Sequence, residues 1–417
     1  MKLKDARSRK LRGGGKLWLV YPASKSFPLS WLEDPVESCA VEPTQPAAKS
    51  PERGTKLREA TLGDYEQIAA LESRYGLATE SLERWHHIWL NNPEHRDLRR
   101  CWTMGWVIED ENGQIVASIG NIPLAYELAG RTILAVSGRS WVADVPYRSK
   151  ALSLLDRVIN QPNVDLYLNN TVNSNSVNAV SVFDCSRVPV GLWDESAFWI
   201  TNYQGLLGRL LARKTHRLAR PLSYPFSAAA FLKDRLTTKG LRAGDVEVKS
   251  VTGFDDRFDD FWTDLKRMNP HVLLAVRTRE VLEWHFKYAL LDNRLWIATV
   301  VDNTRLAAYA IFVRQDSSAF GLRRMRLADF QSLDGSTALL EPLLYWALRK
   351  CRNEGIHLLE IVGRWLEKGE FIEALAPHRH KLDAWRFIYR ANNSSLAATL
   401  RDPRTWAPSL FDGDAAL

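Results

Sequence analysis

The chain has 417 residues, 46% of them apolar and 25% charged, with a formal net charge of +7. That length suits two domains with a core each, the composition is that of a globular protein rather than a disordered one, and no apolar run approaches the roughly 20 residues of a membrane-spanning helix. Cys39, Cys101, Cys185 and Cys351 form no CxxC pair, which speaks against a metal site or disulfide framework and for a reducing, cytoplasmic setting.

Residues 1–55 read as a basic tail rich in Pro and Gly, with Gly13-Gly14-Gly15 and no sustained periodicity. The first domain, 56–205, opens on a short strand around Leu57-Arg58-Glu59. Asp64 is placed to cap a helix that carries Ile68, Leu71 and Tyr75 on one face. A second helical segment holds Leu82, Trp85, His86 and Trp89. Trp106-Val107-Ile108 and Ile115-Val116-Ala117, joined through Glu111-Asn112-Gly113, predict a hairpin. A strand over 134–145 follows, then a helix from Ser149, a strand over 164–172, a helical stretch from Ser176 and a last strand at Phe198-Trp199-Ile200. Residues 206–244 are basic and read as a linker. Arg209, Arg213, Lys214, Arg217 and Arg220 there alternate with leucines, the pattern of a solvated linker helix or of a basic amphipathic helix on a membrane surface. A second domain, 245–400, repeats the order of the first, and 401–417 reads as a C-terminal tail.

The repetition extends to short strings. Thr61-Leu62-Gly63-Asp64 returns at Thr252-Gly253-Phe254-Asp255, and Leu82-Glu83-Arg84-Trp85-His86 returns at Leu282-Glu283-Trp284-His285. The hairpin at Asn112 returns at Asn303, and Val142-Ala143-Asp144 at Leu327-Ala328-Asp329. The separations are 191 (64 to 255), 199 (85 to 284), 191 (112 to 303) and 185 residues (144 to 329). Matches in one order at nearly one offset predict two copies of a single α+β domain.

The segment from Val142 to Leu155 carries the clearest chemistry. A strand ends at Asp144, Pro146 breaks it, and a helix begins after Arg148 and Lys150. Free amides at a helix start beside two cations suit a phosphate, and Ser149, Ala151 and Ser153 are small enough to let it approach. In this setting Arg148-Ser149-Lys150-Ala151-Leu152-Ser153 resembles the pyrophosphate loop of the GNAT acyltransferase superfamily, Arg/Gln-x-x-Gly-x-Gly/Ala. The preceding Asp144-Val145-Pro146-Tyr147 is similar to that family's lead-in. The resemblance implies two tandem domains, each a mostly antiparallel mixed sheet flanked by helices. It implies acetyl-CoA or another acyl-CoA as co-substrate. Val145, Arg148, Ser149, Lys150, Ala151 and Ser153 would hold the cofactor, and the thioester would lie between splayed fourth and fifth strands. In the second copy the turn Ser332 to Leu340 is taken as the counterpart, with Ser332 at the place of Arg148; it reads as degenerate for CoA.

Many members of the family carry a Tyr as general acid on the last helix, where this chain has Phe183. Asn173, Ser176 or water would then substitute, and Asp144 is a further catalytic candidate. Glu83, Trp85 and His86 are the expected acceptor wall: Trp offers a face to stack on and neutral His can take a proton. The bland reading of the repeated Trp-His pair is core packing. The acceptor is expected to be a small molecule or a sugar, because the closing stretch Trp406 to Asp414 resembles tails on tandem GNAT-like proteins linked to surface polysaccharide. A peripheral membrane contact is left open, and nucleic acid is not expected. Two alternatives stand beside this reading. One is a FemAB-like transferase using aminoacyl-tRNA, against which no helical-hairpin arm is legible. The other is a non-catalytic pseudo-acyltransferase that only binds.

Overall fold

A computed structural model describes residues 54–98, 102–172, 176–214, 219–237, 240–317, 321–363, 375–382 and 386–417. Nearly all of the N-terminal tail, and Asn173, lie outside the described residues. The first unit begins with β1 (Thr55–Glu59), α1 (Tyr65–Arg74), α2 (Leu82–Leu90) and α3 (Pro93–Leu98). Asp64 closes the start of α1: its carboxylate accepts from the Thr61 amide at 2.7 Å and pairs with Arg58 at 2.7 Å. Ile68 and Leu71 are buried on one side of α1, as the spacing predicts. The chain continues through β2 (Gly105–Asp110), β3 (Ile115–Leu128), β4 (Arg131–Ala143), α4 (Leu152–Ile159), β5 (Leu166–Val172), α5 (Val177–Ser181) and the short β6 (Ser186–Arg187).

Next come β7 (Leu192–Ile200), the helices α6 (Tyr203–Lys214) and α7 (Ala219–Thr237), and β8 (Val248–Val251). The second unit repeats the first with α8 (Asp256–Met268), β9 (Leu274–Ala275), α9 (Arg279–Leu291), β10 (Leu295–Asp302), β11 (Arg305–Arg314), β12 (Arg324–Ser332), α10 (Leu340–Asn353) and β13 (Leu358–Gly363). It closes with β14 (His378–Lys381), β15 (Arg386–Ala391) and α11 (Ser394–Thr399). The α+β class and the pair of mixed sheets agree with the expectation. No described helix is long and apolar enough to cross a membrane.

The sheet order corrects one part of the reading. The first sheet runs β1-β2-β3-β4-β5-β15-β6 and the second β14-β7-β13-β12-β11-β10-β8. The strand at Phe198-Trp199-Ile200, read as the last of the first copy, therefore pairs in the second sheet, where Ile200 faces Leu358. In exchange, β15 from the end of the chain pairs with β5 of the first sheet. Each half lends its final strand to the other. Pattern alone gives no sign of this, because an apolar strand reads the same in whichever sheet it completes.

The C-terminal stretch is the second correction. Read as a tail, residues 406–417 are largely buried: Trp406, Leu410 and Phe411 join a core that also holds Tyr126, Leu166 and Leu168 of the first sheet and Phe258, Phe286 and Tyr309 of the second unit. Fully buried large side chains from both sheets meet there, so the halves form one apolar interior rather than two beads on a linker.

The third correction concerns the repeated Trp-His string. α2 and α9 pack on each other across the junction of the two units. His87 Nε2 lies 2.9 Å from the Trp284 carbonyl, and Trp284 Nε1 donates to the His87 carbonyl at 3.2 Å. Arg84 pairs with Asp292 at 2.7 Å on the rim of this contact. Repeats keep interface residues because the same face of each copy meets the other.

Candidate active site

β4 and β5 run parallel for only three residue pairs, Ala135 to Ser137 against Leu166 to Leu168. Beyond them the strands part. β4 stays with β3 as far as the Ala117–Ala143 pair, whereas β5 follows β15 out to the Val172–Arg386 pair. The result is a V-shaped gap in the middle of the first sheet. Asn169 Nδ2 donates to the Gly138 carbonyl at 3.2 Å across its apex. On the open arm of β4 the register slips between Ser118 and Gly120, and Ser140 takes φ +49. A serine in the left-handed region is uncommon and carries a strain cost. The bulge turns backbone groups of β4 toward the gap.

Polar side chains collect around this opening. Glu72, on the buried face of α1, hydrogen-bonds Ser140; burial raises its pKa, opposed by Ser140 and by the charge of Arg139. Asp414 is likewise raised by burial, opposed by Arg139 and by Thr171, whose hydroxyl donates to it at 3.3 Å. Arg139 thus stands between two carboxylates, one from each end of the chain. Ser137 Oγ and Asn170 Oδ1 are buried with no hydrogen-bond partner among the described residues. Orphaned buried atoms are rare in folded proteins and call for an explanation.

The loop that follows β4 is a single 3-10 turn, Val145–Tyr147, leading into α4. Arg148, Ser149, Lys150 and Ser153 are exposed, Val145 is exposed, and Ala151 is buried against the sheet. Lys150 Nζ reaches Thr55 at 2.8 Å, and the Ser153 hydroxyl is turned back onto the Lys150 carbonyl at 2.7 Å. The loop therefore presents two cations and a helix start of eight residues, Leu152–Ile159, to solvent. Asp144 accepts from Arg74 and from the Tyr75 hydroxyl, each at 3.0 Å. Those bonds tie the last turn of α1 to the end of β4. Ser176 stands at the start of α5, and Phe183 packs beside the core under α4.

Of the expected acceptor wall, Trp85 is 7% exposed and packs among Ile68, Trp89 and Trp284. It is a core residue, which corrects the acceptor assignment: the apolar face it offers is already covered. Glu83 is exposed and accepts from Tyr288 of the second unit at 3.2 Å. His86 is half-buried with Nε2 unpartnered among the described residues. Sequence reasoning missed Glu72 and Asp414. The first had a signal, since position 72 lies four residues after Ile68, on the same helix face. A carboxylate on a buried stripe is the anomaly worth noting.

The second unit has the same gap and fills it. β12 pairs with β13 only from Arg324 to Arg326, while β13 follows β7. A matching register slip falls between Ile311 and Phe312. Here the Phe411 amide donates to the Ala328 carbonyl at 3.1 Å, so the C-terminal stretch lies along the open arm of β12. Arg277 locks it in place. Its guanidinium bonds Asp329 at 2.8 Å, the Ala275 carbonyl at 2.8 Å and Ser409 at 3.5 Å, and lies 3.7 Å from Asp412.

The register also corrects two alignments. The Asp144 amide bonds the Val116 carbonyl, and its counterpart is the Leu333 amide on the Ala307 carbonyl. The true offset there is 189 residues (144 to 333), so Asp329 lies inside β12 and is not the partner of Asp144. By the same offset Thr337 and Leu339, not Ser332, stand where Arg148 and Lys150 do. The second copy thus lacks both loop cations.

No protein-family model and no curated protein matches the sequence. Solved structures do resemble the fold. A GCN5-related N-acetyltransferase from Kribbella flavida superposes with a TM-score of 0.51 at 10% identity, over 81% of this chain and 71% of that one. One from Anabaena variabilis gives 0.50 at 12% identity, over 82% and 73%. An N-myristoyltransferase from Saccharomyces cerevisiae, solved with bound myristoyl-CoA, gives 0.50 at 12% identity, over 85% and 86%. The chain has the fold of the GNAT acyl-CoA N-acyltransferases, in its tandem form.

Proposed function

We propose that the first unit binds an acyl-CoA and passes its acyl group to an amine or hydroxyl acceptor, and that the second unit is a structural copy. The observation that carries this reading is the asymmetry of the two gaps. The first has a basic loop at its mouth and orphaned polar atoms at its apex, while the second has no loop cations and is occupied by the chain itself. Arg148, Lys150 and the amides at the start of α4 take the pyrophosphate. Ser137 and Asn170 are left for the amide and carbonyl groups of the arm. The family likeness in fold and the myristoyl-CoA of one neighbour support the choice of co-substrate.

Glu72 is the general base of this reading. A carboxylate whose pKa is raised by burial is a stronger base than a free one, and in its ionised form it can take the proton from an acceptor amine as its nitrogen attacks the thioester carbonyl. The C–S bond then breaks and CoA leaves as thiolate, which water can protonate; Asn173, Ser176 and Phe183 need supply no acid. Arg139 and Asp414 orient the acceptor from the other side. The division into units at 56–205 and 245–400 holds in this reading only with the last strands exchanged. A sugar amine or hydroxyl is the finer reading of the acceptor, supported by the likeness of Trp406 to Asp414 to polysaccharide-linked tails and by that stretch reaching Thr171. Glu72→Gln is expected to lower the turnover of acetyl-CoA with a panel of amines and amino sugars by about 10²–10⁴ while CoA affinity stays unchanged. Turnover within twofold of the parent would remove Glu72 from the mechanism.

A second reading has one observation in its favour. The sequence showed no helical arm, yet α6 and α7 form a hairpin between the units, and a FemAB-like enzyme would use such an arm for tRNA. Tight binding of aminoacyl-tRNA with no response to CoA would select it.

A further inference from the structure

The helical hairpin is unusual in what it leaves uncovered. Tyr224, Phe226, Phe231, Leu232 and Leu236 of α7 are all exposed, Leu232 by 60% and Leu236 by 80%. One face of α7 turns inward: Ser227 is buried, and Asp234 accepts from the Tyr203 hydroxyl at 2.5 Å and meets His378 Nε2 at 2.7 Å. At about 100° per residue, Leu232 and Leu236 point directly away from that inward face. Arg235 and Lys233 flank them, both exposed, with the Arg235 guanidinium 5.4 Å from the Phe231 ring. Scattered surface leucines need no explanation, but a helix with apolar residues along its outermost line does.

Charge narrows the occupant. Residues 203–237 contain seven Lys and Arg against one acid, Asp234, and that acid is the group already held by Tyr203 and His378. On the described part of α7, what remains outward is apolar at the crest, with Lys233 and Arg235 exposed on the flanks. We infer that this hairpin docks the protein on an anionic phospholipid surface, with Leu232 and Leu236 entering the headgroup boundary and the basic side chains meeting lipid phosphates. A nucleic acid would use the cations but gain nothing from an exposed leucine crest, so the apolar line favours lipid. Pro225 lies inside α7 between Tyr224 and Phe226. The placement is independent of the acyl-transfer reading, because none of these residues borders the gap in the first sheet.

Vesicle flotation of the full chain decides it. With vesicles of phosphatidylcholine and phosphatidylglycerol at three to one and moderate salt, the protein is expected to float, and with phosphatidylcholine alone to stay behind. Leu232→Glu with Leu236→Glu, and separately Lys233→Glu with Arg235→Glu, should each reduce partition by about tenfold or more, with the melting temperature unchanged. Equal partition of both variants and the parent overturns the inference, as does equal binding to neutral vesicles. Retention of bulk tRNA that only the charge variant weakens, with no flotation, replaces the lipid surface by RNA.

Discussion

Arg148→Glu with Lys150→Glu is expected to weaken CoA binding by about 10²–10³ in calorimetry, with the fold intact. Both side chains are exposed on the loop after β4, so neither supports the core. Charge-assisted bonds to phosphate contribute about 1.5–3 kcal/mol each, and a reversed charge adds repulsion where attraction stood. Lys150 also touches Thr55 at 2.8 Å, an exposed bond whose loss costs little. The control is Thr337→Glu with Leu339→Glu at the corresponding turn of the second unit. Affinity should not change there, because the gap behind that turn is filled by the C-terminal stretch. If the second pair weakens CoA and the first does not, the two units have been assigned the wrong way round.

Arg277→Ala is expected to lower stability by about 3–5 kcal/mol in urea denaturation. Its guanidinium is buried among Asp329, Asp412, Ser409 and the Ala275 carbonyl, with Phe411 stacked 4.8 Å away. Burial pushes Asp329 up, and the Arg277 charge together with hydrogen bonds from Arg277, Ser409 and Gln331 outweighs it, holding the carboxyl below its usual range. Asp412 remains raised by burial despite the same cation. Removing Arg277 leaves two carboxylates in an apolar interior with no cation, and both must take up protons to stay buried. The sign follows for pH: Asp329, depressed in the fold, contributes stability above its unfolded value that is lost as pH falls through its folded one. Arg277→Ala removes that contribution, so the acid limb of its stability curve should be shallower than the parent's. Adding Asp329→Asn should restore part of the loss, because an amide needs no counter-charge. A loss under 1 kcal/mol would show that the C-terminal stretch is held by apolar contact alone.

The legible parts of this molecule are the local ones. The Asn112 and Asn303 hairpins, the stripe of Ile68 and Leu71, and the basic turn after β4 each follow from residues within a few positions of one another. The two-copy architecture followed from ordered matches, yet one of them slid: Val-Ala-Asp and Leu-Ala-Asp look alike, but the strand ladder pairs Asp144 with Leu333. A strand tolerates such a slide in sequence because its alternation repeats every two residues. The exchange of β7 and β15 was not legible, since pairing partners are chosen by contacts far along the chain, 158 residues for Ile200 with Leu358 (358 − 200) and 219 for Asn169 with Ile388 (388 − 169). The C-terminal stretch was read as a tail for want of periodicity. Its residues are buried without being helical or extended for long, and periodicity is blind to such segments. Trp85 illustrates the converse: a tryptophan beside a histidine suggests a binding wall until the other copy is seen packed against it.

The C-terminal stretch lies along the open arm of β12 in the second gap, whereas in the first it meets the β5 side, through Asn170 and Thr171; the stoichiometry of CoA tests that difference most directly. Titration of the full chain with CoA by calorimetry should give one site per chain, weakened by the Arg148 and Lys150 double variant. Two sites per chain would mean that the C-terminal stretch yields its place in the second unit, and no binding at all would leave a fold without its co-substrate.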